Sequence, residues 1–304
     1  MINPSLPDVI LRARILIRTL FFFLSALAFS GCSLPAFLID GREVAASIAR
    51  THKWKALSFD VEAFVLTGYA KDGPGNDLVA YIEGDGRAWI SYRVPSDDPT
   101  PKDPLAFRLA VMDPAPKVLY LGRPCQYTST KSTRKCESRF WTVARFSLPV
   151  VEAMDTALTQ AKTVLRAERL HLVGYSGGGA LAVLLAARRK DVASVMTVAA
   201  NLDHDAWTRH HEVTPLYDSL NPADVAALIR DCPQVHFVGS EDDIVPTFVA
   251  RSFMSRIGDT SRARLVEIPK YDHNCCWVKA WPGLLAPYRP LSIFVDNCRQ
   301  KNIK

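Results

Sequence analysis

The sequence predicts an α/β protein with a mostly parallel sheet covered by helices on both faces, and three observations carry that expectation. Short, nearly uninterrupted apolar runs recur at residues 78–82, 117–121, 170–175, 192–198, 235–238 and 265–268. Strands that lose both faces to helices read this way, whereas a half-solvated sheet alternates apolar with polar residues. Segments of helical apolar period separate the runs, at 104–112, 150–168, 180–188, 223–230 and 248–257, as crossovers between parallel strands require. Third, Leu170-His171-Leu172-Val173-Gly174-Tyr175-Ser176-Gly177-Gly178-Gly179-Ala180-Leu181 passes from strand to helix through a glycine-rich turn. The chain of 304 residues, 48% hydrophobic and 22% charged, is long enough to bury such a core and shows no bias toward disorder.

Residues 1–31 stand apart from this pattern and read as an export signal. Arg12, Arg14 and Arg18 precede the apolar stretch 20–29, and the small residues Ser30 and Gly31 lead into Cys32. That stretch is shorter than a bilayer crossing needs. Phe29-Ser30-Gly31-Cys32 resembles the lipobox of bacterial lipoproteins, with Phe29 where leucine is usual. The resemblance implies that Cys32 carries the lipid and anchors the chain to a membrane, and Ser33 after it implies the outer membrane, facing the periplasm; a plain signal peptide cut nearby and an uncleaved anchor stay open. Residues 32–50 then form a tether with a polar, helix-like segment at 43–50, and residues 51–304 form the main domain. Part of the net charge of +6 sits in the leader and no basic stripe interleaved with aromatics follows, so nucleic acid is not an expected partner.

Within the domain, 58–66 reads as one alternating strand, followed by the turn residues Asp72-Gly73-Pro74-Gly75-Asn76 and a hairpin to 78–82. A closing helix is expected at 284–298. The longest irregular stretches, 91–103, 125–140 and 201–221, are where a site is usually dressed.

Glycines two positions before and two after Ser176 suit a sharp strand-to-helix turn, because the two backbones approach too closely for a Cβ. Ser176 then projects its hydroxyl over the carboxyl edge of the sheet, and the N–H of Gly177, at the helix N-terminus, points toward any oxyanion formed there. The turn lacks the Gly-Lys-Ser/Thr ending of a phosphate-binding loop. A serine hydroxyl is a weak nucleophile that needs a base, itself oriented by a carboxylate.

From about Leu78 to Asp296 the chain resembles the α/β-hydrolase superfamily. Gly174-Tyr175-Ser176-Gly177-Gly178 matches its nucleophile elbow, and Gly239-Ser240-Glu241-Asp242-Asp243-Ile244-Val245-Pro246 matches its Gly-x-x-Asp-x-x-Val-Pro acid loop. The resemblance implies the chain order serine, acid, histidine. Of seven histidines only His273 follows the last strand, so the base role falls on it. The acid role falls on Asp242, with Asp243 and, one strand earlier, Asp203 left open. Glu83-Gly84-Asp85-Gly86 stands where many relatives carry His-Gly-x-Gly, which makes Asp85, or Gly86, the second oxyanion donor. His236 reads as core or surface filler, and His204, His210 and His211 as residues of a loop. The implied substrate is a small-molecule or lipid-like carboxylic ester or thioester, cleaved through an acyl-enzyme without metal or cofactor. An acyltransferase using the same residues, and a non-catalytic surface lipoprotein keeping the fold as a binding module, stay open.

Cysteine counting fits export. Of the seven, Cys32 is set aside for lipid, which leaves an even number suited to disulfides, and no Cys-x-x-Cys pair points to a metal. Cys125 and Cys136 bracket a polar loop and are the preferred pair. Cys232, Cys275, Cys276 and Cys298 allow three connectivities; a bond between the adjacent Cys275 and Cys276 is the most strained, and either of them could staple the histidine loop to Cys232 or Cys298.

Overall fold

The structure is a computed structural model that describes residues 40–91, 93–128 and 136–288; the expected export signal, Cys32 and Cys298 lie outside them. The first element, α1 (Gly41–His52), is capped by Asp40, whose carboxylate accepts a hydrogen bond from Arg42 N at 2.9 Å. Ala45 and Ala49, one turn apart, are buried against the core, and Arg42 pairs with Asp98 at 2.6 Å. One compact unit therefore begins at Asp40. The tether expected over 32–50 is corrected in its second half, because small residues give this helix a face that packs.

The strand expected over 58–66 is a hairpin. Phe59 and Val61 keep one alternation phase and Phe64 and Leu66 the other, so the chain must reverse between them. β1 (Lys55–Val61) and β2 (Phe64–Lys71) accordingly pair antiparallel with Val61 opposite Phe64, and Glu62 takes the left-handed conformation, φ 46°. The second hairpin is not formed either: β2 and β3 (Asp77–Ile82) are neighbours in sequence, but another strand lies between them in the sheet. The chain continues through a short ribbon of β4 (Trp89–Ser91) and β5 (Val94–Pro95), then α2 (Leu105–Val111), β6 (Val118–Leu121), α3 (Leu148–Leu165), β7 (Arg169–Tyr175), α4 (Gly177–Arg188) and β8 (Val192–Val198). It ends with α5 (His204–His210), a 3-10 helix at Pro222–Ile229 where an α-helix was expected, β9 (Gln234–Gly239), α6 (Thr247–Ile257), β10 (Ala263–Ile268) and α7 (Trp277–Leu285). The main sheet has eight strands in the order β1-β2-β6-β3-β7-β8-β9-β10, antiparallel across β1-β2-β6 and parallel from β6 onward.

Both faces of the sheet are buried, as the uninterrupted apolar runs require. Leu78, Ala80 and Ile82 join the core formed with α3 and α4, while Val79 and Tyr81 join the core formed with α1, α2 and α7. The last described helix starts earlier than the expected 284–298: Trp277, Trp281 and Leu285 recur at one-turn spacing and are buried, even though Pro282 lies inside the helix. Pro282 and Gly283 read as breakers, but buried tryptophans on one face outweigh them. Register places Ile82 beside Gly174, Tyr175 beside Val198, Val198 beside Phe237 and Gly239 beside Ile268. The carboxyl ends of five parallel strands thus share one edge, where ligands of open α/β sheets bind.

Candidate active site

Ser176 follows the last residue of β7 and caps α4, with φ 51° and ψ −122°, a conformation that side chains other than glycine rarely hold. Close packing enforces it. A Cβ on Gly174 would stand 2.3 Å from Gly178 O, and one on Gly178 would stand 2.2 Å from Ile82 O, so neither position tolerates a side chain. Ser176 N donates to Val198 O at 2.9 Å, which pins the turn to β8. Its side chain remains partly open to solvent while its neighbours are buried.

His273 lies in the loop after β10 and is 7% exposed. Its Nε2 is 3.0 Å from Ser176 Oγ and its Nδ1 is 2.9 Å from Asp242 Oδ2. Because a carboxylate only accepts, Nδ1 carries the proton and Nε2 is left to accept from the serine hydroxyl. The backbone that carries the ring is held as well: Trp277 Nε1 donates to His273 O at 3.1 Å, and Tyr175 OH is shared between His273 O at 3.2 Å and Asn274 Oδ1 at 3.1 Å. Asp242 sits in the loop after β9 with its side chain fully buried, its Oδ1 accepting from Ile244 N at 3.0 Å and Val245 N at 2.7 Å. The two loops are joined at Gly239, where a Cβ would meet Tyr271 O at 2.2 Å, and Glu241 N donates to that same carbonyl at 2.9 Å.

The other acids left open by the sequence stand elsewhere. Asp243 is exposed. Asp203 is fully buried but is occupied as the cap of α5, accepting from Ala206 N at 3.2 Å, Asn221 Nδ2 at 3.0 Å and Ser252 Oγ at 2.6 Å. Burial works against its charge, yet the Ser252 and Asn221 bonds hold its carboxyl below the usual range. His236 is wholly buried between Thr197 and Gln234, and burial pushes its pKa down to about 3, so it stays neutral.

Gly84, Asp85 and Gly86 form the loop after β3 and lie over the elbow: a Cβ on Gly84 would be 3.2 Å from Ser176 Cβ. Neither Asp85 N nor Gly177 N donates to another backbone group among the described residues. Gly86, at φ 64°, makes the turn against Pro99. Two features here were not anticipated. The Asp85 carboxylate is clamped between Arg123 and Arg145, with Arg145 Nη1 at 2.5 Å; burial opposes its charge, but the two guanidinium groups hold its pKa below the ordinary value. Glu83 is 1% exposed, accepts from Gly84 N at 2.9 Å and Tyr120 OH at 3.0 Å, and is pushed by burial up to about 7. Arg123 and Arg145 sit beside apolar residues in Leu121-Gly122-Arg123-Pro124 and Ala144-Arg145-Phe146, the one sequence signal that they are buried.

Cys125 is joined to Cys136, with Cα atoms 5.5 Å apart. The staple from the histidine loop to Cys232 or Cys298 is corrected: Cys275 and Cys276 bond to each other, in a loop curled by Asp272, which accepts from Asn274 N at 2.7 Å and Cys275 N at 2.6 Å. Cys232 is itself disulfide-bonded. Among the described residues no cluster of His, Cys, Asp or Glu suits a metal ion, and no helix is long and apolar enough to cross a membrane.

Compared by sequence, the chain matches no family model and no curated protein. Compared by structure, it is similar to the Pyrococcus furiosus esterase Pf2001, with a TM-score of 0.56 and 13% identity over 81% of this chain and 94% of that one. It is also similar to ATU1826 of Agrobacterium tumefaciens, a protein of unknown function assigned to the alpha/beta hydrolases (TM-score 0.54, 12% identity, 80% and 98% of the two chains). This is the α/β-hydrolase fold. A membrane phospholipase A described as a bacterial virulence factor shares it, at a TM-score of 0.52 and 13% identity over 93% of this chain and 98% of that one. In α/β-hydrolase terms Ser176 occupies the elbow, Asp242 and His273 the two later strand ends, and Asp85 the loop that faces the elbow.

Proposed function

We propose that the chain is a serine hydrolase that cleaves a carboxylic ester or thioester through an acyl-enzyme. The observation that carries this reading is the unbroken hydrogen-bonded line from Ser176 Oγ through His273 to a buried Asp242, at 3.0 and 2.9 Å, above a strained elbow. In this reading Ser176 Oγ attacks the carbonyl carbon while His273 Nε2 takes its proton, and His273 returns that proton to the departing alcohol or thiol oxygen or sulfur. Water then repeats the sequence on the acyl-enzyme, releasing the acid and regenerating Ser176. Asp242 holds the tautomer and offsets the imidazolium charge, and the N–H groups of Gly177 and Asp85 receive the developing oxyanion. Esterase and phospholipase neighbours of the same fold fit an ester substrate.

The test is labelling by a fluorophosphonate probe, followed by substitution. Ser176→Ala and His273→Ala should each remove nearly all ester hydrolysis and, because the residues act as a unit, combining them should add little. Asp242→Asn should lower turnover on the order of 10⁴-fold by favouring the wrong imidazole tautomer, whereas Asp243→Asn and Asp203→Asn should do much less. Full activity in Ser176→Ala refutes the mechanism; collapse in Asp203→Asn with Asp242→Asn near wild type moves the acid role. The proposal extends to location: the lipobox-like Phe29-Ser30-Gly31-Cys32 supports an exported, lipid-anchored protein. Cys32→Ala should then abolish lipid incorporation and release the protein from membranes, and unchanged lipid labelling counts against it.

A further inference from the structure

A pocket of about 750 Å³ is walled by residues of the β4–β5 ribbon, the segment before α3 and the segment from α5 onward. Trp89, Ile90, Trp207 and Leu216 give it an apolar wall, and Arg145, only 6% exposed, is the buried charged residue that lines it. Its position relative to Ser176 follows from two bonds. On one side Arg145 Nη1 donates to Asp85 Oδ2 at 2.5 Å, while the other oxygen of that carboxylate lies 2.1 Å from where a Cβ on Gly177 would stand. On the other side Trp207 Nε1 donates at 2.6 Å to the carbonyl of Ile244, just past Asp242. The pocket's wall is therefore bonded to the Asp85 loop through Arg145 and to the acid loop through Trp207.

Charge gives the pocket its chemistry. Arg123 and Arg145 share a single carboxylate, Asp85, which leaves one positive charge over. Glu83, the other carboxyl that acts on Arg123, is held up to about 7 by burial and is largely neutral below that. Arg93 and Glu212, both exposed among the lining residues, carry opposite charges. Arg145 Nε donates to Thr142 O at 2.6 Å and Nη1 to Asp85, so Nη2 is the edge without a partner among the described residues. An anion in the pocket would replace water on that edge with a charge-assisted hydrogen bond. One free nitrogen and one surplus charge match a carboxylate rather than a phosphate dianion.

We propose that the substrate is an ester whose acyl part carries a free carboxylate at the far end of an aliphatic chain, and that Arg145 binds that carboxylate. The inference rests on the hydrolase reading. His273 must hand its proton to the departing oxygen, so the alcohol part lies toward His273 and the acyl part toward the Asp85 loop, the side on which Arg145 stands. The apolar wall then covers the methylene chain between the two ends.

The experiment compares kcat/KM for 4-nitrophenyl octanoate with that for the mono-4-nitrophenyl ester of suberic acid, two substrates of equal length that differ in the terminal carboxylate. The suberate ester should be preferred by about tenfold or more. Arg145→Gln disturbs the Asp85 loop for both substrates alike, so the readout is the ratio, which should collapse toward one. Should Arg145→Gln fail to fold, Thr214→Glu decides: Thr214 lines the pocket, exposed and outside the arginine cluster, and a carboxylate there should lower the ratio of suberate-ester to octanoate kcat/KM, whatever it does to both rates in common. A native ratio at or below one, or a ratio unmoved by the substitutions, overturns the carboxylate assignment and leaves the hydrolase reading intact. If instead neither ester is cleaved and Ser176 takes no fluorophosphonate label, the hydrolase reading falls and this inference falls with it.

Discussion

Replacing Glu83 with glutamine should make the protein more stable than wild type at alkaline pH and not at acid pH. Glu83 is fully enclosed and its carboxyl is shifted by burial from 4.5 to about 7, against the opposing hydrogen bonds from Gly84, Tyr120 and Ala106. The folded protein therefore holds a proton on Glu83 that the unfolded chain has released, so the group's contribution to stability is complete below about 4.5 and is lost as pH rises to about 7. That interval corresponds to roughly 3 kcal/mol. Glutamine reproduces the protonated form. Its oxygen still accepts from Gly84 N and Ala106 N, and its amide can donate to Tyr120 OH, which is already within 2.7 Å of Tyr127 OH and can turn its own hydrogen that way. Urea unfolding followed by tryptophan fluorescence between pH 4 and pH 8.5 should show the difference between Glu83→Gln and wild type moving by about 3 kcal/mol in favour of glutamine. In the same range His236 takes up a proton in the unfolded chain while staying neutral in the folded one, but that difference is common to both proteins and cancels. A difference that is the same at both ends of the range refutes the argument.

Three more outcomes are expected. Gly239→Ala forces a methyl group against the Tyr271 backbone, so the histidine loop must move away from the acid loop; ester hydrolysis should fall at least about tenfold, and wild-type turnover in that variant would show the contact to be slack. Peptide mass spectrometry without reduction should find Cys125 linked to Cys136; loss of the link should lower stability by roughly 3 kcal/mol, and free thiols at both positions would exclude it. Burial keeps His236 neutral with its pKa down at about 3, so it supports the fold above about 6.5 and that support drains as pH falls toward 3. His236→Gln should flatten the acid side of the stability profile, and an unchanged acid limb would count against that assignment.

The parallel part of the sheet was legible because its strands are buried on both faces, and a run such as Leu170 to Val173 has no other ready explanation. The elbow was legible because close backbone approach admits only glycine at 174 and 178. What escaped has physical reasons too. The phase slip between Val61 and Phe64 marks the β1–β2 turn, but Glu62 is not a turn-forming residue and the alternation on either side hides it. That β6 lies between β2 and β3 is a long-range pairing with no local signature. Ordinary residue preference says that Arg123, Arg145 and Glu83 belong outside; they are inside because each finds a partner that lies far away in the chain, at Asp85 or at Tyr120.

The helix behind Ser176 opens on three consecutive glycines and is buried without interruption from Gly177 to Ala187. Glycine disfavours helix by roughly 0.5–1 kcal/mol per residue, and starting a helix is the costly step even for good formers. This segment has no polar face and a poor first turn, so its beginning is shaped from outside, by β3 on one side and β8 on the other. Ser176 is therefore late to take its shape as the chain folds and early to lose it as the chain loosens. Hydrolysis should disappear at a lower urea concentration than the tryptophan signal does.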